Sequence, residues 1–524
     1  MTTDPSLPEG LLNPKAYPHA CGEIRLLETH LSWVILTGDY AYKIKKPVQF
    51  RFADFSTAEL RQHFCNEELR LNRRLSSSLY LDVVPITKEG DQLVVCGDGD
   101  IIDYAVRMRQ FPNGSLLSDV IETTSVPDAA IDELATQLAR FHEQLPATPV
   151  GKDWGEPTRI SADARENFAE LDNVLHEPWR RASHELLLRV DEQFELLTET
   201  FAARKRLGMV RECHGDLHLG NMFLEDGRIT VFDGIEFNDD FRWIDVINEV
   251  AFTVMDFEDR GRAAAGWRFL NAWLEITGDY AGISVLPFYI CYRAMVRAKV
   301  AAFQARNMAP HAHRMQMLAS EFDDYLDLAS RYCTPDRAAI MITCGVSGSG
   351  KSYHTQNVLS DLRAVRIRSD VERKRIAAES RQMSDGATSR AELYTDQMTN
   401  TTYGQLAKMA DLVLQAGLPA IVDATFLSKS HRELFRSLAE RRKVPFVILS
   451  CDAAPELLRQ RISERMRKGT DASDATLEVL DQQLKAREPL TAQEQDLEVV
   501  CRADSDIVSE IQSQCQRQTE RLRS

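Results

Sequence analysis

The stretch that most constrains this chain is Gly345–Ser352, GVSGSGKS, which follows the apolar run AIMITC and precedes a helix-compatible segment. Its spacing is G-x-x-x-x-G-K-S, the pattern of a loop that wraps phosphate oxygens with backbone N–H groups. Glycine at 345, 348 and 350 admits backbone turns that a Cβ would obstruct, and Ser347 and Ser349 complete the loop. The following helix start adds its positive dipole end. Lys351 is placed to reach the β- and γ-phosphates of a nucleotide, and Ser352 to hold Mg2+. A loop of this kind usually opens an α/β domain, because it follows the first strand. Here it begins at residue 345 of 524.

From that loop onward β and α patterns alternate. Strands are expected at 339–344, 364–368, 419–423 and 444–451, and helices from 351, around 371–380 and 396–416, and at 428–441. This is the signature of an α/β fold with a parallel sheet. The Pro335-Asp336 turn signal precedes the first of these strands, so the boundary is placed near Thr334, giving domains 1–333 and 334–524.

Asp370, in RIRSDVERKR, stands at a strand's C-terminal end, where ligands bind in open α/β sheets. A carboxylate there suits deprotonation of an acceptor hydroxyl. Arg373, one helical turn on, suits an anionic substrate group, or else is a solvated arginine beside a helix cap. Asp423 ends the apolar strand AIVD, the place for a carboxylate on Mg2+ or its water. In LLRQRISERMRKG, Arg461 and Arg465 share a helix face, the pattern of a lid closing on ATP phosphates or of a solvated charged helix. On these motifs the C-terminal third resembles the small P-loop kinases that include gluconate kinases, polynucleotide kinases and zeta toxins. The resemblance implies that Asp370 serves the acceptor hydroxyl and that the lid arginines close on ATP.

The front of the chain reads differently. LSWVILTG and YAYKIKKPV flank a Gly38-Asp39 turn signal, a helix is expected over 56–75, and further strand-like segments precede a run of amphipathic helices after residue 112. Strands first and helices after is an α+β order. The segment CHGDLHLGNMFLEDGRITVFDGIEF holds Asp216, Asn221 five residues on, a hairpin turn at Asp226-Gly227, then Asp233. One carboxylate facing an acceptor hydroxyl, plus two hard oxygen donors for Mg2+, is the layout of kinase-type phosphoryl transfer. Lys43 is the candidate phosphate lysine, with Lys45 on the same strand face. Glu68 or Glu67 is its ion-pair partner; periodicity does not choose between them. No G-x-G-x-x-G precedes Lys43, which departs from protein kinases.

CHGDLHLGN with FDGIEF resembles the aminoglycoside phosphotransferase branch of the kinase superfamily, over roughly residues 20–325. The resemblance implies Asp216 as catalytic base, Asn221 and Asp233 as Mg2+ ligands and Lys43 on the nucleotide, with His214 bracing the loop and Asp245 structural. Arg293 and Arg297 share a helix face and suit an acidic acceptor or pairing with nearby carboxylates. The whole chain resembles a bacterial fusion family joining such a protein-kinase-like (aminoglycoside phosphotransferase-like) domain to a P-loop kinase-like ATP-binding domain. That implies a bifunctional ATP-dependent phosphotransferase using ATP and Mg2+ on small-molecule hydroxyl acceptors. Two other readings stay open: the P-loop domain as an ATP-driven switch for the first site, or as a nucleic-acid 5′-hydroxyl kinase.

A net charge of −16 counts against an extended nucleic-acid or membrane surface. No apolar run approaches 18 residues and no signal-peptide pattern opens the chain, so a cytoplasmic address is expected. The ten cysteines show no paired C-x-x-C spacing and read as reduced, mostly buried thiols rather than a zinc site.

Overall fold

A computed structural model describes residues 7–523 except 176, 178, 308–311, 334–336, 384–394, 469–475 and 503–504. The boundary expected near Thr334 lies outside the described residues. Chain contacts divide the protein into two compact units: Met1–Ala162 with Phe201–Asp256, and Asp163–Thr200 with Phe257–Ser524.

The first unit is built on a six-stranded antiparallel sheet, whose strands lie in the order 25–28, 32–36, 40–45, 100–109, 80–89 and 92–95. The expected hairpin at Gly38 is present, and Gly38 sits at φ +107°, the left-handed region that glycine enters without penalty. Period two then sorts the strand Tyr40–Lys45. Tyr42 and Ile44 enter one core with Leu7, Leu11, Tyr17 and Val84. Ala41 enters the other with Cys65, Tyr80 and Val106. Lys43 and Lys45 share Ala41's face, so both point to the side covered by the helix that carries Cys65.

That helix, Ala58–Ser76, is capped by Thr57, whose side chain accepts from Leu60 N–H. Its buried positions include Arg61, Cys65, Glu68, Asn72 and Ser76, at three- and four-residue spacing. The same stripe that buries Cys65 therefore delivers Glu68 beneath the sheet. The hairpin Met222–Glu225 and Arg228–Val231 turns at Asp226-Gly227, and strand Val210–Glu212 pairs with Trp243–Asp245.

In the second unit five parallel strands lie in the order 365–368, 420–423, 340–344, 446–450 and 498–500. The loop-bearing strand Ile340–Cys344 is central and wholly buried, which is why its sequence runs apolar without alternation. The fifth strand, Glu498–Val500, has no signal in its polar surroundings and was not expected. Helix Ala263–Thr277 covers the opposite edge of the sheet. Asn271 accepts from Arg366 N–H at 2.6 Å and donates to Ala364 carbonyl at 3.0 Å, so a side chain satisfies the edge strand as a neighbouring strand would. Glu258 gathers Trp267 Nε1 at 2.6 Å, the Tyr332 hydroxyl at 2.6 Å and Arg363 Nε at 2.9 Å. No helix among the described residues is long and apolar enough to cross a membrane. All ten cysteines are free thiols, seven of them buried.

Candidate active sites

In the first unit, Lys43 Nζ meets Glu68 Oε1 at 2.9 Å and also pairs with Asp233. Lys45 Nζ meets Glu68 Oε2 at 2.7 Å and also pairs with Glu236. Glu68 therefore serves both candidate lysines. Glu67 instead pairs with Arg70 at the surface, so tertiary placement separates two glutamates that periodicity could not. Burial pushes the Glu68 carboxyl upward, but Lys43 and Lys45 hold it down at about 2. Of the two lysines, Lys43 is the one that touches Asp233. Replacing Glu68 with alanine leaves two buried ammonium groups short of a partner. The expected cost is about 3–5 kcal/mol, read as a lower urea midpoint. Glu67→Ala is expected to stay within about 0.5 kcal/mol of the parent.

The segment 214–221 is held from below. Glu249 Oε1 accepts the His214 and Gly215 amides at 2.6 and 2.8 Å, and its Oε2 meets His142 Nε2 at 2.7 Å. Asp256 accepts Leu219 N–H at 2.7 Å. His142, Cys213 and Glu249 place three metal-compatible donors within 4.8 Å of one another. Both Glu249 oxygens are, however, already engaged in bracing this loop. His214 is buried, bonds the Phe232 carbonyl at 2.9 Å, and has its pKa lowered chiefly by burial. It ties the 214–221 loop to the strand end that carries Asp233. Asp245 is clamped by Arg204 at 2.6 and 2.8 Å, within the scaffold.

Asp216 is only half buried, with 37% of its side chain exposed, so a carboxylate oxygen can be reached from solvent. Asn221 Nδ2 donates to Asp216 Oδ2 at 2.9 Å and to its carbonyl at 3.0 Å. With both amide hydrogens directed at Asp216, the Asn221 side-chain oxygen could serve a cation. Asp233 takes a positive φ of 64° at the strand end, and its amide donates to the Tyr80 hydroxyl at 3.0 Å. The donor set of amide and carboxylate oxygens fits Mg2+. Glu236, Glu249 and Asp256 were not foreseen, because nothing local in the sequence distinguishes them from other acidic residues.

In the second unit one cavity of about 640 Å3 collects Lys351, Ser352, Asp370, Arg373, Asp423, Arg461 and Arg465. A Cβ on Gly345 would sit 2.2 Å from the Cys451 carbonyl, so glycine is required there by close backbone approach. Lys351 is half-buried and donates to the Val346 carbonyl at 2.9 Å; desolvation lowers its pKa, with Asp423 partly opposing. Ser349 Oγ is buried and has no hydrogen-bond partner among the described residues, as expected of a loop built to receive further oxygen atoms. Ser352 and Asp423 supply hard oxygen donors on the same cavity, which fits Mg2+.

Asp370 lies in the first turn of helix Ser369–Met383. Arg373 is buried rather than solvated and donates to Thr399 Oγ1 at 3.2 Å. Arg461 donates to the Gly348 carbonyl at 3.1 Å, placing its helix over the loop. Tyr403 and His431, which no motif pointed to, stack with centroids 3.9 Å apart on the cavity wall. Arg293 lies over the Tyr292 ring, and Arg297 donates to the Tyr325 hydroxyl at 3.3 Å; both are engaged within the helical part of this unit.

Comparison with known proteins adds two family models. One, described as Phosphotransferase enzyme family, matches residues 65–286; the other, described as AAA domain, matches residues 340–490. Uncharacterized proteins of Mycobacterium tuberculosis and Mycobacterium bovis are 31% identical over 461 residues, covering 86% of this chain and 88% of theirs. Among solved structures, amicoumacin kinase in complex with AMP-PNP, Ca2+ and Ami is 15% identical with a TM-score of 0.39, covering 61% of this chain and 92% of that one. A gluconokinase from Sinorhizobium meliloti 1021 is 19% identical with a TM-score of 0.26, covering 36% of this chain and 98% of that one. The chain belongs to the family, shared with the mycobacterial proteins, that joins an aminoglycoside-phosphotransferase-like kinase domain to a C-terminal P-loop kinase-like domain.

Proposed function

We propose that the protein is a bifunctional ATP-dependent phosphotransferase, with one site in domain 1–333 and one in domain 334–524. Each site transfers the ATP γ-phosphate to a hydroxyl of a small molecule. The observation that carries this reading is the duplication of a complete set of groups. Asp216, Asn221, Asp233 and Lys43 come from one unit, and Lys351, Ser352, Asp370 and Asp423 line one cavity of the other.

At the first site, Asp216 accepts the acceptor's hydroxyl proton as the oxygen attacks the γ-phosphorus and the bond to ADP breaks. Asn221 holds Asp216 in place, and Lys43, oriented by Glu68, faces the nucleotide phosphates. At the second site Asp370 takes the acceptor proton, the loop amides and Lys351 hold the phosphates, and Arg461 and Arg465 close over them. Arg373 meets the acceptor. Asn221 and Asp233 at the first site, and Ser352 and Asp423 at the second, would hold Mg2+, which would supply charge neutralisation of the phosphates.

The test follows transfer from γ-labelled ATP into a cytosolic metabolite extract by the parent, Asp216→Ala and Lys351→Ala proteins. Loss of a different labelled product in each variant supports two kinase sites and identifies both acceptors. If Lys351→Ala removes only ATP hydrolysis, or only alters the Asp216-dependent product, the P-loop domain is a switch. Oligonucleotide labelling that weakens steeply with salt would replace the small acceptor by a nucleic acid.

A further inference from the structure

Glu275 lies in helix Ala263–Thr277, inside the segment matched by the phosphotransferase family model, and no nucleotide-site motif contains it. Its carboxylate nevertheless meets Arg368, which lines the P-loop cavity. Glu275 Oε1 accepts from Arg366 Nη2 at 2.7 Å and from Nε at 3.2 Å, and Oε2 accepts from Arg368 Nη1 at 3.2 Å. The three side chains are 16, 7 and 17% exposed, so water screens them little. Asn271, one turn earlier on the same helix, fixes that helix to the edge strand by its two bonds with Ala364 and Arg366. Arg375 adds a bond to the Glu275 carbonyl at 2.7 Å.

Arg368 lines the cavity beside Asp370 and Asp423, and its Cα is paired in register with that of Asp423 on the adjacent strand. Burial works against the Arg368 charge, and Glu275 first, then Asp423 and Asp370, favour it. Glu275 bonds this guanidinium, and Asp423 and Asp370 also attract it. The latter two are needed elsewhere: Asp423 for the cation and Asp370 for the acceptor proton.

We propose that Glu275 is a positioning residue of the P-loop site, which holds the Arg368 guanidinium aside and so leaves Asp423 and Asp370 open to Mg2+ and acceptor. This rests on the P-loop reading above. It also means that a residue of the phosphotransferase-family segment completes the second site. Without the Glu275 charge, Arg368 takes Asp423 or Asp370 as its partner, at the expense of the cation.

The experiment, run with every protein in an Asp233→Asn background that removes a cation ligand of the first site, titrates MgCl2 against the full chain with mant-ADP and reads the Mg2+-dependent gain in nucleotide affinity by fluorescence, with thermal melting alongside. E275Q is expected to reduce that gain about tenfold, the scale of one charge-assisted contact. The double variant E275Q/R368Q is expected to restore it to within about twofold, because the competitor is removed with its restraint. An unchanged gain in E275Q overturns the proposal. So does a loss that the double variant does not restore, since Glu275 would then only brace the strand. Where E275Q alone does not fold, the double variant carries the titration, and loss of the gain in it is equally fatal. Lys351→Ala serves as the separate check on the site itself: mant-ADP binding like the parent's would sink the P-loop reading rather than the role of Glu275.

Discussion

Lys351→Ala is expected to lower transfer at the P-loop site by about 10²–10³-fold, the scale of removing one preorganised charge stabiliser. The ammonium is half-buried at the loop and held by the Val346 carbonyl at 2.9 Å, so its position is partly fixed before phosphate arrives. Alanine leaves the developing phosphate charge to the other cations that line the cavity, among them Arg461 and Arg465. Nucleotide affinity is expected to fall with turnover, because the lysine meets ground-state phosphates too. The measurement is initial-rate labelling of the Lys351-dependent product at saturating ATP, with the Asp216-dependent product followed in the same samples. Undiminished labelling in the variant would remove Lys351 from the chemistry.

The second large effect is at Asp216. Alanine there is expected to cost about 10²–10⁴-fold in turnover, the usual contribution of a positioned general base. KM for ATP is expected to change little, since Lys43, Glu68 and Asp233 form their pairs without Asp216. Asp216→Asn keeps the size of the side chain and loses the proton acceptor, so it is expected to match alanine in turnover while melting at the parent temperature. A variant that instead raises KM for ATP with turnover intact would place Asp216 on the nucleotide rather than the acceptor.

Much of the second unit was legible along the chain because its signals are local. An apolar run, a glycine loop and a Lys-Ser pair are read within fourteen residues, 339–352. The expected strands and helices around it occur within a few residues of their predicted ends. The strand Glu498–Val500 escaped notice because it is short and sits at a sheet edge. In the first unit the frame Asp216, Asn221, Asp233 was equally local, being set by one loop and one hairpin.

What the sequence determined by itself was thus the chemistry on offer: two sets of candidate residues for phosphoryl transfer, their order, and the strand or loop that bears each. Tertiary structure alone decided between neighbours and brought in distant partners. It selected Glu68 over Glu67, because only one face of helix Ala58–Ser76 is covered by the sheet. It gave both Lys43 and Lys45 a share of that carboxylate. It assigned Glu249 and Asp256 to bracing the Asp216 loop, and it brought Glu275 to Arg368 across more than ninety residues. A carboxylate has no periodic or local signature of its partner. Its role is fixed by which buried cation lies within about 3 Å after folding, and that distance exists only in three dimensions.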